Sequence, residues 1–155
     1  MTFDDAFEAL MAHEGGYVND PRDRGGETRY GISKRAYPAV DSRNLTLDAA
    51  KTIYRRDYWR PAGCEAVPEA VRFDLFDMAV HSGIHAAVCT LQRAVGAGED
   101  GVLGPVSLAA IQGLAPAVLV ARFNGARLAM MTELATWQTF GKGWARRIAA
   151  NLMRV

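Results

Sequence analysis

The first apolar positions of the chain follow a helical period. Phe3, Phe7, Leu10 and Met11 fall on one face at 100° per residue, which predicts an amphipathic helix from about Thr2 to His13. The pattern stops at the glycine pair of residues 15–16, and residues 15–31 are rich in Gly, Asp, Asn and Pro. Such a composition predicts an irregular loop that contains a short β-hairpin or ribbon.

The rest of the chain is predicted to be almost entirely helical. Prolines occur at the first turns of the predicted helices, and glycines occur after segments with a helical apolar period, where helices commonly end. The fold class expected from this pattern is mainly α, with one small β element near the start. The predicted helices cover residues 47–58, capped by Thr46, then 69–82, 85–95, one starting at Pro105, one from Pro116 to about Thr139, and one from Gly141 and Gly143 to Met153.

Composition places the chain among ordinary globular proteins. Of its 155 residues, 50% are hydrophobic and 23% are charged, which argues against disorder and predicts one domain or one domain with a small addition. No apolar run reaches the length of a membrane span. The start, MTFDDAFEAL, carries acids where a signal peptide carries Lys or Arg, so we expect cytoplasmic synthesis without such a peptide. Cys64 and Cys89 are expected to be reduced thiols, with a disulfide between them in an oxidising periplasm as the alternative.

Charge is divided unevenly along the chain, although the formal net charge is +1. Residues 1–100 hold 12 basic and 16 acidic side chains, whereas residues 101–155 hold 6 basic side chains and one acid. This asymmetry predicts that the C-terminal part meets an anionic partner.

Glu14 is the strongest candidate for chemistry. It falls on the apolar face of the first predicted helix, where partial desolvation disfavours the charged form and raises a carboxyl pKa. A raised pKa suits a general acid that works near neutral pH. The alternative is a glutamate that ends a helix and turns into solvent, but the two glycines that follow allow close approach of a ligand.

The polar ribbon after Glu14 offers partners for it. A glycosidase needs an acid for the leaving oxygen and a second group that holds water or charge on the other side of the bond. Thr28 and either Asp20 or Asp23 could fill the second role, while turn formation is the alternative for both aspartates.

At this point the sequence resembles the glycoside hydrolase family 108 of N-acetylmuramidases, found among phage endolysins and prophage-encoded proteins. The resemblance implies a lysozyme-like helical fold, Glu14 as the catalytic acid, and assistance by Thr28 and Asp20 or Asp23. We expect substrate contacts at Tyr17, Tyr30, Gly31, Asp77 and His81, with anchoring of the ribbon as the alternative for the two tyrosines. His81-Ser82 departs from the family pattern, in which Asn before a small residue is expected. The motifs that carry the resemblance are Glu14-Gly15-Gly16-Tyr17, Asn19-Asp20-Pro21, Gly25-Gly26-Glu27-Thr28, Tyr30-Gly31-Ile32 and Phe76-Asp77-Met78-Ala79-Val80 leading to Gly83.

A second resemblance covers the C-terminal part. The stretch from Leu91-Gln92 through Asp100-Gly101 to Gly104-Pro105 is similar to the peptidoglycan-binding modules of wall hydrolases. It also suits a tight helical corner that packs on the catalytic part, and both interpretations stay open. We therefore expect a catalytic region at residues 1–90 and a peptidoglycan-binding-like region at residues 91–155, packed as one unit.

The last predicted helix allows two interpretations. Its apolar residues recur every four positions, and several basic residues accompany them, as in a helix that contacts an anionic envelope. A helix docked on a core has the same pattern and is the more common case.

Other signals are weak. Gly96, Gly98 and Gly101 spell a dinucleotide motif but lack its strand–turn–helix context, and His81 with His85 lacks a third metal ligand nearby. No nucleic-acid motif accompanies the basic residues. We expect a monomer without cofactor or metal that hydrolyses the β-1,4 bond between N-acetylmuramic acid and N-acetylglucosamine after release to the periplasm. A lytic transglycosylase and a non-catalytic wall-binding or secretion-associated protein are the alternatives.

Overall fold

A computed structural model describes residues 1–12 and 28–154 of the chain. Contacts between Cα atoms divide the chain into two compact units, one of residues 2–57 and one of Met1 with residues 58–155. The expected division into a catalytic region at residues 1–90 and a peptidoglycan-binding-like region at residues 91–155 stays a prediction. Each unit is described separately below.

The first unit begins with helix α1, Phe3–Met11, as its apolar period predicts. Thr2 caps the helix: its hydroxyl accepts from the Asp5 backbone N–H, and the Asp5 carboxylate accepts from the Thr2 N–H, a reciprocal capping box. The described part of the predicted ribbon is a hairpin of β1, Thr28–Arg29, and β2, Ile32–Ser33. Helix α2, Leu47–Tyr54, follows, and Thr46 caps it as predicted, with its hydroxyl accepting from the Ala49 N–H.

The α-helical pattern of α2 passes into a π-helical turn at Arg55–Trp59, so the helical stretch expected at residues 47–58 has its predicted extent but changes type. A short 3₁₀ turn at Cys64–Ala66 precedes the helices of the second unit. Cys64, which is buried there, and Cys89 are both free thiols. Burial raises the pKa of the Cys64 thiol to about 12, so that thiol is inert as a nucleophile.

The second unit is built around helix α3, Glu69–Ser82, whose predicted bounds are confirmed. Eight of the 14 residues of α3 are buried, including two aspartates, so other elements enclose this helix on several sides. Its neighbours are α4 and α6, α4 also packs on α5 and α6, and α6 packs on α7. The bounds are α4 Ile84–Val95, α5 Pro105–Gln112, α6 Pro116–Thr132 and α7 Trp137–Leu152.

One predicted boundary is wrong. The break expected near residues 139–143 lies at residues 133–136, and Gly141 and Gly143 are inside α7. Gly141 is a packing residue: a Cβ there would stand 2.5–2.7 Å from three atoms of the Trp137 indole, so only glycine leaves room for that ring. The mainly α, lysozyme-like class with one small hairpin is confirmed.

No single helix in the described residues is long and apolar enough to cross a membrane, while α5 and α6 pass the length and composition test only as a pair bent by 118°.

Candidate active site

The predicted catalytic residues are only partly described. Glu14, Tyr17, Asp20 and Asp23 lie outside the described residues, and their predicted roles stay predictions. Thr28 lies in the first unit and is part of β1. The structure therefore reports on the elements that flank the acid in the sequence.

The hairpin that carries Thr28 has a two-residue turn with an unusual backbone. Thr28 pairs with Ser33 and Arg29 pairs with Ile32, which leaves Tyr30 and Gly31 as the turn residues. Both have positive φ, 52° and 73°. This is the signature of a type I′ turn, whose twist matches that of the two strands. Gly31 adopts it freely, whereas a tyrosine in the left-handed region is strained and must be held in place by its surroundings.

Contacts around Tyr30 supply that restraint. The Tyr54 hydroxyl of α2 donates to the Tyr30 carbonyl oxygen at 3.0 Å, and the Arg29 guanidinium lies 5.3 Å from the centre of the Tyr30 ring. The Tyr54 ring packs on Phe7 of α1, with 5.6 Å between ring centres. Tyr54 thus connects α1, which precedes the Glu14 segment in the sequence, with the β1–β2 hairpin, which follows it. Tyr30 is half-buried in this arrangement, so it anchors the hairpin whether or not it also contacts a sugar.

Asp77 lies where three helices meet. Its side chain has no exposed surface and is bound by Arg127 of α6 at 2.8 Å, by Arg147 of α7 at 2.6 Å, and by the Asn151 amide at 3.0 Å. Burial alone raises a carboxyl pKa, but the hydrogen bond from Arg147 and the charge of Arg127 outweigh it and hold the Asp77 pKa below its ordinary value. A buried, ionised carboxylate joins three helices here, and the expected contact of Asp77 with substrate stays a prediction.

His81, one turn further along α3, is partly exposed. Its ring meets the Trp144 indole edge-to-face with centres 5.8 Å apart, and Nδ1 is 3.1 Å from the Ser82 hydroxyl. Burial, and then the charges of Arg147 and Arg127, lower the His81 pKa, which favours a neutral imidazole at physiological pH. A neutral, partly exposed ring is compatible with the expected contact with a sugar.

The motif that resembles a peptidoglycan-binding module forms a corner. The buried Gln92 side chain of α4 donates to Asp100 at 2.6 Å and to Ser107 at 3.0 Å, and it accepts from the Gly101 backbone N–H at 2.9 Å. Gly101 has a φ of 75°, and a Cβ there would collide with the His85 ring. The motif residues are therefore used internally to join α4 to α5. Wall binding by residues 91–155 stays a prediction.

A metal site finds no support in the described ranges, where no group of three His, Cys, Asp or Glu side chains is placed to hold an ion. His81 and His85 belong to different helices, because Gly83, with a φ of 90°, separates α3 from α4. His85 instead lies beside Cys89, with 3.4 Å between Nδ1 and the sulfur.

Sequence reasoning missed two features of the second unit. The first is Asp74, which lies in α3 with 3% of its surface exposed and has a pKa raised to about 6 by burial. The second is the aromatic cluster on α7, which consists of Trp137, Phe140 and Trp144. Asp74 and Asp77, three residues apart in an apolar helix, indicate buried polar contacts already in the sequence. Their partners could not be identified there, because they are about 50 to 77 residues away along the chain.

Comparison with known proteins places the chain. The family model described as Glycosyl hydrolase 108 matches residues 7–83, which include α1, the hairpin and α3. The solved structure of Brucella abortus SagA is similar over 98% of this chain and 92% of its own, with 36% sequence identity and a TM-score of 0.87. None of the curated proteins matches. With the helical fold and the Thr28 hairpin described above, these matches show that the chain belongs to glycoside hydrolase family 108, a family of enzymes that degrade peptidoglycan.

Proposed function

We propose that the protein is an N-acetylmuramidase that hydrolyses the β-1,4 bond between N-acetylmuramic acid and N-acetylglucosamine. The observation that carries the proposal is the family match over residues 7–83, which spans Glu14, both candidate aspartates and Thr28 in one continuous segment. The anchored hairpin supports it, because Thr28 lies on a strand that Tyr54 ties to α1.

In this mechanism Glu14 is the general acid. It protonates the glycosidic oxygen while the bond to the anomeric carbon lengthens through an oxocarbenium-like transition state. Water then attacks the anomeric carbon and leaves a new reducing end, and its proton passes to a carboxylate base. Thr28 and either Asp20 or Asp23 position that water.

Substrate binding follows from the residues around the hairpin in this proposal. Tyr17, Tyr30 and Gly31 belong to the sequence motifs that flank Glu14, and the exposed Gly31 allows a sugar to approach the turn backbone closely. A sugar contact at His81, in the second unit, is part of the proposal on the ground of the sequence alone.

The test compares wild type with Glu14→Gln on purified peptidoglycan, with products identified by mass spectrometry. Wild type should release muropeptides with a free reducing end, and the variant should be slower by about 10²–10⁴-fold or more, because the glutamine keeps the shape but has no proton to give. Thr28→Val, which removes the hydroxyl at similar volume, should retain folding and lose part of the rate.

Each other outcome identifies an alternative. Products with a 1,6-anhydro end, lost in Glu14→Gln, would make the protein a lytic transglycosylase. No products from a folded wild-type protein that still sediments with peptidoglycan would make it a wall-binding or secretion-associated protein without catalysis.

The cellular role proposed with this activity is that of a phage or prophage endolysin. Synthesis in the cytoplasm followed by release to the periplasm, through a holin or a comparable route, would bring the enzyme to its substrate. Expression with and without a membrane-permeabilising holin tests it, since lysis should depend on the holin.

A further inference from the structure

The hairpin that carries Thr28 is too short to define its own geometry. Each strand contributes two residues, so the ladder consists of two residue pairs, Thr28 with Ser33 and Arg29 with Ile32. An isolated two-stranded hairpin is only marginally stable in water, and its register and twist are set by its turn. The position of the Thr28 side chain therefore depends on the conformation of the two turn residues.

Tyr30 is the residue of that turn whose conformation needs support. It is the only residue other than glycine with a positive φ in the described part of the chain, and Gly31 follows it in the same region. A type I′ turn requires a positive φ at both positions, and Asn-Gly is a pair that adopts it readily. Tyrosine lacks the short polar side chain that makes the left-handed region accessible to asparagine. The Tyr30 conformation thus depends on a contact from outside the turn.

The hydroxyl of Tyr54, the last residue of α2, supplies this contact. It donates to the Tyr30 carbonyl oxygen at 3.0 Å, across 24 residues of sequence. Tyr54 is 2% exposed, and its ring packs against that of Phe7 in α1 with an angle of 60° between the ring planes. Because the buried ring is enclosed, its hydroxyl is held at one point relative to α1 and α2. A donor at a fixed point determines where the carbonyl oxygen of the turn lies.

Two other contacts act on different parts of the hairpin. The Arg29 guanidinium lies over the Tyr30 ring, and both residues are partly exposed, so this contact restrains side chains rather than the peptide group of the turn. Ile32 is 1% exposed and anchors β2. The Tyr54 hydroxyl is thus the contact that acts directly on the backbone of the turn.

We propose that Tyr54 is a positioning residue for hydrolysis. Its hydroxyl holds the Tyr30 carbonyl oxygen, and with it the type I′ turn, in the conformation that places Thr28 for its role in catalysis. The inference rests on the proposed function, because Thr28 has that role only there. Since Tyr54 acts through the backbone of the turn, its loss should lower the rate for bound substrate rather than the affinity for substrate.

The test measures kcat and KM of Tyr54→Phe on purified, solubilised peptidoglycan. Phenylalanine keeps the ring that packs on Phe7 but has no hydroxyl, so the variant should fold. We expect kcat to fall about tenfold and KM to change by less than about twofold. Thermal unfolding of the same samples shows that the lower kcat is not a loss of folded enzyme.

Tyr30→Asn tests the route through the turn. Because Asn-Gly forms a type I′ turn without outside help, Tyr54→Phe should no longer lower kcat when it is combined with Tyr30→Asn. The reference for the double variant is Tyr30→Asn alone, so a sugar contact of Tyr30 affects both proteins alike. A general loosening of α2 would not be repaired by a change in the turn.

Backbone amide chemical shifts provide a readout that does not need activity. The amides of Thr28 and Gly31 should shift in Tyr54→Phe, and in the double variant they should match those of Tyr30→Asn. If the wild-type protein releases no products, the proposed function fails, while these shifts still report whether Tyr54 holds the turn. The two ideas can therefore fail separately.

Tyr37→Phe is the matched control. The Tyr37 hydroxyl donates to Asp57 at 3.0 Å, within the same unit but away from the turn, so its removal should leave kcat unchanged. Three results would each overturn the inference: an unchanged kcat in folded Tyr54→Phe, an equal loss in both Tyr→Phe variants, or a loss that persists beside Tyr30→Asn.

Discussion

Two aspartates of α3 show how differently burial acts on identical residues three positions apart. Asp77 meets two guanidinium groups and is held as an anion, with 0% of its side chain exposed. Asp74 is almost as buried, and burial raises its pKa to about 6, because the nearby amides of Asn124 and Asn151 and the charge of Arg127 only partly offset desolvation. Asp74 therefore keeps its proton up to about pH 6, well above an ordinary aspartate, whereas Asp77 is held as the carboxylate.

This difference predicts opposite effects for the same substitution. The folded state binds the Asp74 proton more tightly than the unfolded chain does, so stability falls as the pH rises from about 4 to about 6 and then stays lower by roughly 3 kcal/mol. Asp74→Asn should remove this loss and stabilise the protein at pH 8, with a gain that shrinks towards pH 4. Urea unfolding at several pH values measures it.

Asp77→Asn is the control in the same helix. It leaves the fully buried Arg127 without its compensating charge and should destabilise the protein by about 3–5 kcal/mol at pH 8. If both variants shift the midpoint in the same direction at pH 8, the opposite pKa shifts assigned to the two aspartates are wrong.

At the scale of an element, α7 gives a test of what its glycines do. Gly→Ala inside an exposed helix normally stabilises by about 0.5–1 kcal/mol, and Gly143→Ala should do so because a Cβ there meets no atom within 4 Å. Gly141→Ala should instead destabilise and displace the Trp137 ring. Thermal unfolding with tryptophan fluorescence reports both changes. Equal stabilisation by the two substitutions would show that Trp137 does not depend on Gly141.

The same helix shows where sequence prediction succeeded and where it failed. The bounds of α3 were predictable because Pro68 precedes its first turn and Gly83 follows its last, both local signals. The start of α7 was not, because Gly141 carries the local signal of a helix end while its reason is a contact with Trp137. Likewise, nothing in the motif around Asp77 indicates its ion pairs with Arg127 and Arg147, which are 50 and 70 residues away in the sequence.

At the scale of the whole molecule, the family segment and the compact units do not coincide. Residues 7–83 cover most of the first unit and continue into the second unit as far as α3. Helix α7 and the basic residues after position 101 lie beyond that segment. The similarity to SagA, which extends over 98% of this chain, reaches past the family segment into this part.

Charge asymmetry leads to a prediction about salt. If the basic C-terminal part meets an anionic wall, binding of Glu14→Gln to purified peptidoglycan should weaken severalfold between about 0.05 M and about 0.3 M NaCl, since the Debye length shortens to below 10 Å over that range. Binding to a neutral N-acetylglucosamine oligomer serves as the control and should change little. An affinity for peptidoglycan that is equal at both salt concentrations would exclude an electrostatic contribution.

The Gln92 corner has a consequence for the evolution of wall-binding segments. Its amide joins α4 to Asp100, Gly101 and Ser107, so Gln92, Asp100 and Gly101 are needed for this corner whether or not the segment binds the wall. A related protein that has lost affinity for the wall would keep these residues, because its fold still needs the corner. A search that infers wall binding from this motif will therefore also find proteins that share only the corner between α4 and α5. Homology of the corner is then no evidence for homology of wall binding.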